Sequence, residues 1–124
     1  GRIGNVGRGP RHSVISPDGA FLYVTLNKDG QIVKVDAATG AVVAKVATGS
    51  APRSMDIAAD GESLYVVNYE SSTVSKVTIA GMAEVQELAT GHHPIGITYD
   101  PGTGRVWVAC YGGEIEIFDE VPAG

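Results

Sequence analysis

Ser16-Pro17-Asp18-Gly19-Ala20-Phe21-Leu22-Tyr23-Val24-Thr25-Leu26-Asn27 decides the fold, because the chain says it three times. Pro17 presets φ for a tight turn, Gly19 accepts a positive φ, and the apolar run that follows has the composition of a buried strand. Forty-two residues on, Asp60-Gly61 is followed by Leu64-Tyr65-Val66-Val67-Asn68. After the same interval again, Val106-Trp107-Val108-Ala109 occupies the strand position.

The register extends outward from that stretch. Gly7, Gly49 and Gly91 share one phase, and so do Pro10, Pro52 and Pro94; Arg11 matches Arg53. The third unit departs at its first turn, Asp100-Pro101-Gly102-Thr103-Gly104, and drops one residue near Gly112-Gly113. From there Phe118-Asp119 matches Val35-Asp36 one position early. The first unit predicts four strands, at 12–16, Phe21–Leu26, Gln31–Asp36 and 41–47, parted by polar or glycine turns. Four short strands in about 42 residues make a propeller blade, whereas repeats of about 33–34 residues are helical.

The second strand is apolar at almost every position, where a sheet with one wet face would alternate. Both faces of a blade are covered by neighbours. Tyr23, Tyr65 and Trp107 recur at one phase and are expected to pack between blades. The stretch 82–88 has good helix propensity, but its phase is that of a fourth strand, and register is given precedence. The fold class expected is all-β: a β-propeller segment of three four-stranded antiparallel blades. Residues 1–6 have the phase of a preceding blade's last strand. Residues 7–48 and 49–90 are whole blades, and 91–120 supplies only three strands.

Composition narrows the function. With 124 residues and a net charge of −5, the chain is a poor general ligand for nucleic acid, which rests on phosphate neutralisation. No apolar run reaches the roughly 18 residues of a membrane helix. Cys110 is the one cysteine, so no internal disulfide exists, and Val108 and Ala109 beside it point to a buried structural thiol.

Pro10-Arg11, Ser16-Pro17-Asp18-Gly19, Leu22-Tyr23-Val24-Thr25-Leu26-Asn27, Ile32-Val33-Lys34-Val35-Asp36 and Thr39-Gly40, with Pro52-Arg53 and Leu64-Tyr65-Val66-Val67-Asn68 in the second unit, resemble the YVTN-repeat β-propeller family. The resemblance runs over nearly the whole chain and rests on turn and core residues, not on a catalytic set. It implies a ring of usually seven blades outside the cytoplasm, secreted, periplasmic or on the cell surface. Its relatives include lactonases and haem- or quinone-linked oxidoreductase domains. Three units fall short of a ring, so the expected partners are the remaining blades of a larger propeller or a second copy of this chain.

In an antiparallel blade, the loop before the first strand and the loop after the second lie on one face of the ring. Arg8, Arg11, His12, Arg53, His92 and His93 all fall at the first of these positions. An acidic protein is thereby expected to carry a basic rim at its channel mouth. Arg11 and Arg53 offer forked donors, His12, His92 and His93 flank them, and Asn27, Tyr69 and Tyr111 share the rim, which suits an anionic small molecule or polymer. Structural arginines that bond to neighbouring carbonyls or carboxylates are the competing reading. His92-His93 lacks a spaced third ligand for zinc, and His12-Ser13 with Asp56 lacks a nucleophile-elbow context. No nucleotide-binding glycine motif in strand–helix context is present. The function expected is a non-catalytic binding or scaffold module of an exported or surface protein, with no cofactor and no metal. A lactonase or hydrolase propeller and a haem-linked redox propeller are the alternatives.

Overall fold

The three turns that open the second strands are tied by their own side chains. In a computed structural model describing residues 1–119, Ser16 Oγ donates to Asp18 Oδ1 at 2.6 Å, and the Ala20 amide donates to the same oxygen at 2.9 Å. These bonds, the serine hydroxyl first, hold the Asp18 carboxyl below its ordinary value. Asp60 accepts from the Glu62 amide in the second unit. Asp100 accepts from the Thr103 hydroxyl and the Gly102 amide in the third. One local chemistry thus makes the first hairpin turn in every unit, even where the third unit's sequence departs.

Eleven strands follow in chain order among the described residues: β1 Pro10–Ile15, β2 Phe21–Leu26, β3 Gln31–Asp36, β4 Val42–Ala47, β5 Pro52–Ile57, β6 Ser63–Asn68, β7 Thr73–Thr78, β8 Ala83–Ala89, β9 Pro94–Asp100, β10 Arg105–Cys110 and β11 Ile115–Asp119. They pair only with sequence neighbours, antiparallel, as β1-β2-β3-β4, β5-β6-β7-β8 and β9-β10-β11. The helix-prone stretch is β8. As an outer edge it buries little, so register costs little to impose there. β1, β5 and β9 each begin on a proline, which an edge strand tolerates because no ladder bond is lost. Each pairing with its second strand slips by a residue within that stretch.

The sheets stack face to face. Tyr23 and Ile32 of the first blade meet Met55, Leu64, Val66 and Val77 of the second. On the other face, Tyr65, Val67 and Val74 meet Val106, Val108 and Cys110 of the third, with Ile97, Tyr99 and Phe118 around them. Successive residues of β6 therefore point into different interfaces, and all six are buried. Full burial of one such side chain, Leu64, is worth about 1.5–3 kcal/mol.

Near the axis the blades are tied by polar bonds. Ser54 Oγ donates to the Ile95 carbonyl at 2.7 Å, and the Tyr99 amide donates to Asp56 Oδ2 at 2.8 Å. Residues 1–6 form no strand here. Val6 packs on the first blade's outer face with Val24, Leu26, Val33 and Val35. Tyr23 and Tyr65 are 1% and 5% exposed, but Trp107 is 39% exposed, because no blade covers its face among the described residues. Residue 120, assigned to the third blade, lies outside the described residues.

Candidate functional site

The channel-mouth residues are set by a backbone clip repeated in each blade. The Asn27 amide donates to the Gly9 carbonyl, Tyr69 to Ala51 and Tyr111 to His93, at 2.7–3.0 Å. This clip brings the residue before each first strand against the residue after each second strand. Residues 9, 51 and 93 all have a left-handed backbone, with φ of 71°, 56° and 50°. Gly9 takes this freely, whereas Ala51 and His93 carry a cost of about 1–2 kcal/mol each. The His93 amide also donates to Ser72 Oγ of the second blade at 3.3 Å.

At the junction of the second and third blades the clip assembles four side chains into one stack. The Arg53 guanidinium carbon lies 3.7 Å from the Tyr69 ring centroid. The Tyr69 and His93 rings are 4.1 Å apart and 22° from parallel. His93 and His92 follow at 3.6 Å and 31°. Stacking of a guanidinium on a phenol is favourable by about 0.5–2 kcal/mol. Arg53 Nε is nevertheless buried and bonded to nothing among the described residues. Neither Arg53 nor Arg11 forms an ion pair there, so the structural-arginine reading finds no carboxylate for either.

The other nominated residues lie apart from this stack. Arg11 and His12 are exposed and border an open depression of about 430 Å³ beside Pro10, Ser13 and Val24. Asn27 spends its amide on the Pro52 carbonyl at 3.2 Å, tying the first blade to the second. Tyr111 is 72% exposed. Arg8 is held by Asp29, through its backbone amide at 2.9 Å and its side chain at 2.7 Å, and these bonds keep the Asp29 carboxyl below its usual value.

Asp56 is engaged by the Tyr99 and Ile57 amides, with no bond to His12 or Ser13 among the described residues. Cys110 is buried, with Sγ 3.4 Å from Glu116 Oε1. Burial first, then that carboxylate, push its thiol up, away from the thiolate that reactivity needs. No cluster of three or more metal-ligating side chains occurs among the described residues. Ser72 and the left-handed turn at residue 93 were not singled out from sequence. The signal was available, since residue 93 shares its phase with Gly9.

The model of the family described as "Cytochrome D1 heme domain" matches residues 10–109. Hydrazine synthase of Kuenenia stuttgartiensis is 35% identical, with a TM-score of 0.85, over 96% of this chain and 36% of its own. A Bacteroides fragilis structure described as a candidate 6-phosphogluconolactonase is 25% identical, with a TM-score of 0.83, over 93% and 36%. The WD40 propeller domain of Doa1 is 18% identical, with a TM-score of 0.84, over 96% and 40%, a likeness of fold alone. The chain thus spans well under half the length of these relatives. No curated protein matches it.

A haem would need an imidazole nitrogen facing an apolar slot as wide as the macrocycle. The described residues do not supply one. His92 and His93 are packed against each other, and His12 borders a shallow, open depression. The apolar cavity between the second and third blades, lined by Tyr65, Val74, Leu88, Val106 and Phe118 among others, holds about 10 Å³. These residues alone do not fit the group.

Proposed function

We propose that this chain, which belongs to the cytochrome D1 heme domain family, is a run of blades in a larger propeller and serves as a non-catalytic binding platform whose channel mouth recognises an anion. The observation that carries this is Arg53. Its face is covered by Tyr69 and its Nε is buried without an acceptor, an arrangement that costs stability unless something else completes it. The terminal nitrogens remain as a fork for a carboxylate or phosphate. The left-handed His93 supports the same reading, since backbone strain gathers where geometry serves a site. Arg53 is the principal donor, and Arg11 with His12 forms a second, open cationic patch one blade away.

The resemblance of its motifs to YVTN-type repeats supports a parent that works outside the cytoplasm, as a secreted, periplasmic or surface protein. Phosphate titration by calorimetry on the parent protein and on Arg53→Ala and Arg11→Ala variants tests the site. Arg53→Ala is expected to weaken binding by roughly tenfold or more, the loss of one charge-assisted bond. Equal binding by variant and parent removes the proposal.

A second reading has its own support. Family membership and 35% identity to a hydrazine synthase chain favour a haem-linked enzyme propeller, and the Bacteroides likeness favours a lactonase type. A Soret band in the purified parent would establish the first. Lactone hydrolysis abolished by Asp56→Asn would establish the second.

A further inference from the structure

The stack joins one fixed charge to two side chains whose charge changes with pH. A guanidinium stays protonated in proteins, whereas imidazole is the side chain that gains or loses its proton between about pH 5 and pH 8. The Arg53 guanidinium and the His93 ring both touch the Tyr69 ring, at 3.7 Å and 4.1 Å. Their charges therefore interact across a single phenol, inside the screening length of about 10 Å at 0.1 M salt. His92 lies 3.6 Å from His93.

That last distance limits the pair to one proton. Two imidazolium rings so close repel as like charges sharing one site, so the rings act together and not singly. The groups around them bias where the proton sits. Arg53, across Tyr69, repels a charge on His93. Glu114 packs against Gly91, its carboxylate 3.2 Å from where a Cβ would stand, and Glu116 accepts from the Gly91 amide at 2.7 Å. Both carboxylates stand beside the residue before His92 and favour a charge on that exposed outer ring. The other titratable groups of the surrounding turns are the exposed Glu70, next to Tyr69 in the chain, and the phenols of Tyr69 and Tyr111.

Resting on the anion reading above, we infer that His92 and His93 are the pH control of that site: the pair takes up a proton when an anion occupies Arg53, and the mouth holds anions more tightly as pH falls. An anion on Arg53 cancels the repulsion that keeps charge off the rings and adds an attraction of its own. By linkage, a proton on the pair strengthens anion binding by the same factor. The gain is fully present where the free pair is already protonated. It is lost as pH rises through the range in which the anion-bound pair releases its proton. The anion itself touches Arg53 and need not reach either imidazole.

Calorimetry on the intact parent protein with sulfate, whose charge is constant over this range, tests this at about pH 5 and about pH 8. At an ionic strength of about 0.01 M, affinity is expected to be roughly fivefold higher at the lower pH, and the difference shrinks at about 0.15 M. Between those pH values, repeating the titration in two buffers of unlike ionisation heat should show proton uptake on binding. In a variant carrying His92→Gln and His93→Asn the affinity ratio should fall to about one; asparagine tolerates the left-handed backbone of residue 93. The ratio is read within each protein, so a general loss of affinity does not imitate the effect. Equal affinity at the two pH values in the parent, without proton uptake, overturns the inference and leaves the anion site standing. Sulfate that binds at neither pH overturns both. A pH dependence that survives the double substitution belongs to another group, such as His12 beside Arg11, and also overturns it.

Discussion

Tyr65 of the second blade and Trp107 of the third occupy one phase of the repeat, yet one is 5% exposed and the other 39%. The flanking strands repeat the contrast. β7 buries four residues in succession, whereas its counterpart β11 leaves Ile115 and Ile117 exposed at 64% and 50%. Sequence pattern decides which way a side chain points, and only a neighbouring sheet decides whether it is buried. An exposed face bearing tryptophan and isoleucine is an association surface until another blade covers it.

The comparison can be broken by substitution. The largest effect is expected at the middle blade: Leu64→Ala should cost about 2–5 kcal/mol in denaturant unfolding of the parent, and Ile57→Ala, half-buried, visibly less. A comparable loss from Trp107→Ala in the parent would demonstrate that a following blade seals that face. A loss within about 0.5 kcal/mol would mean the face stays wet.

Next in size is Gly49→Ala. A methyl there would stand 2.6 Å from Ser71 Oγ and 2.7 Å from Asn68 Cγ, so overpacking of about 1–3 kcal/mol is expected in the same measurement. At the equivalent Gly91 the nearest atoms are those of the Glu114 carboxylate, from 3.2 Å, a flexible end that can yield, so Gly91→Ala should cost less.

Smallest is Arg8→Ala at the first blade's surface. The Asp29 carboxyl is held below 3.8 chiefly by the Arg8 backbone amide and then by its guanidinium. A depressed carboxyl stabilises the fold above its ordinary value and loses that contribution as pH falls through the folded value. Followed by NMR titration, Asp29 should move up towards 3.8 in Arg8→Ala, part of the way only, since the backbone donor remains. No movement would mean that the ion pair contributes nothing there.

The strands were legible because turn chemistry and register agree. β2 and β3 fall where sequence places them, β4 starts one residue later at Val42, and β1 starts two residues earlier, at Pro10. That last difference arises because proline, poor inside a ladder, serves as the first residue of an edge. The helix-like stretch yielded to register, as tertiary context commonly overrides propensity.

The site was legible in composition and not in arrangement. Arg53, Tyr69, His92 and His93 could be nominated by phase, but their stacking order depends on side-chain direction, which phase does not carry. Asn27 shared the phase of Tyr69, yet its shorter amide reaches the Pro52 carbonyl instead. The exposure of Trp107 was illegible for another reason, since burial there belongs to a neighbour.

The ties between Ser54 and Ile95 and between Asp56 and Tyr99 lie on the innermost strands, while the outer strands β4 and β8 are largely exposed. The assembly is bound like a book, stitched at the spine and loose at the fore-edge. Under stress its leaves should fan apart from the rim inward, so amide deuteration should run through β4 and β8 well before it reaches β5 and β6.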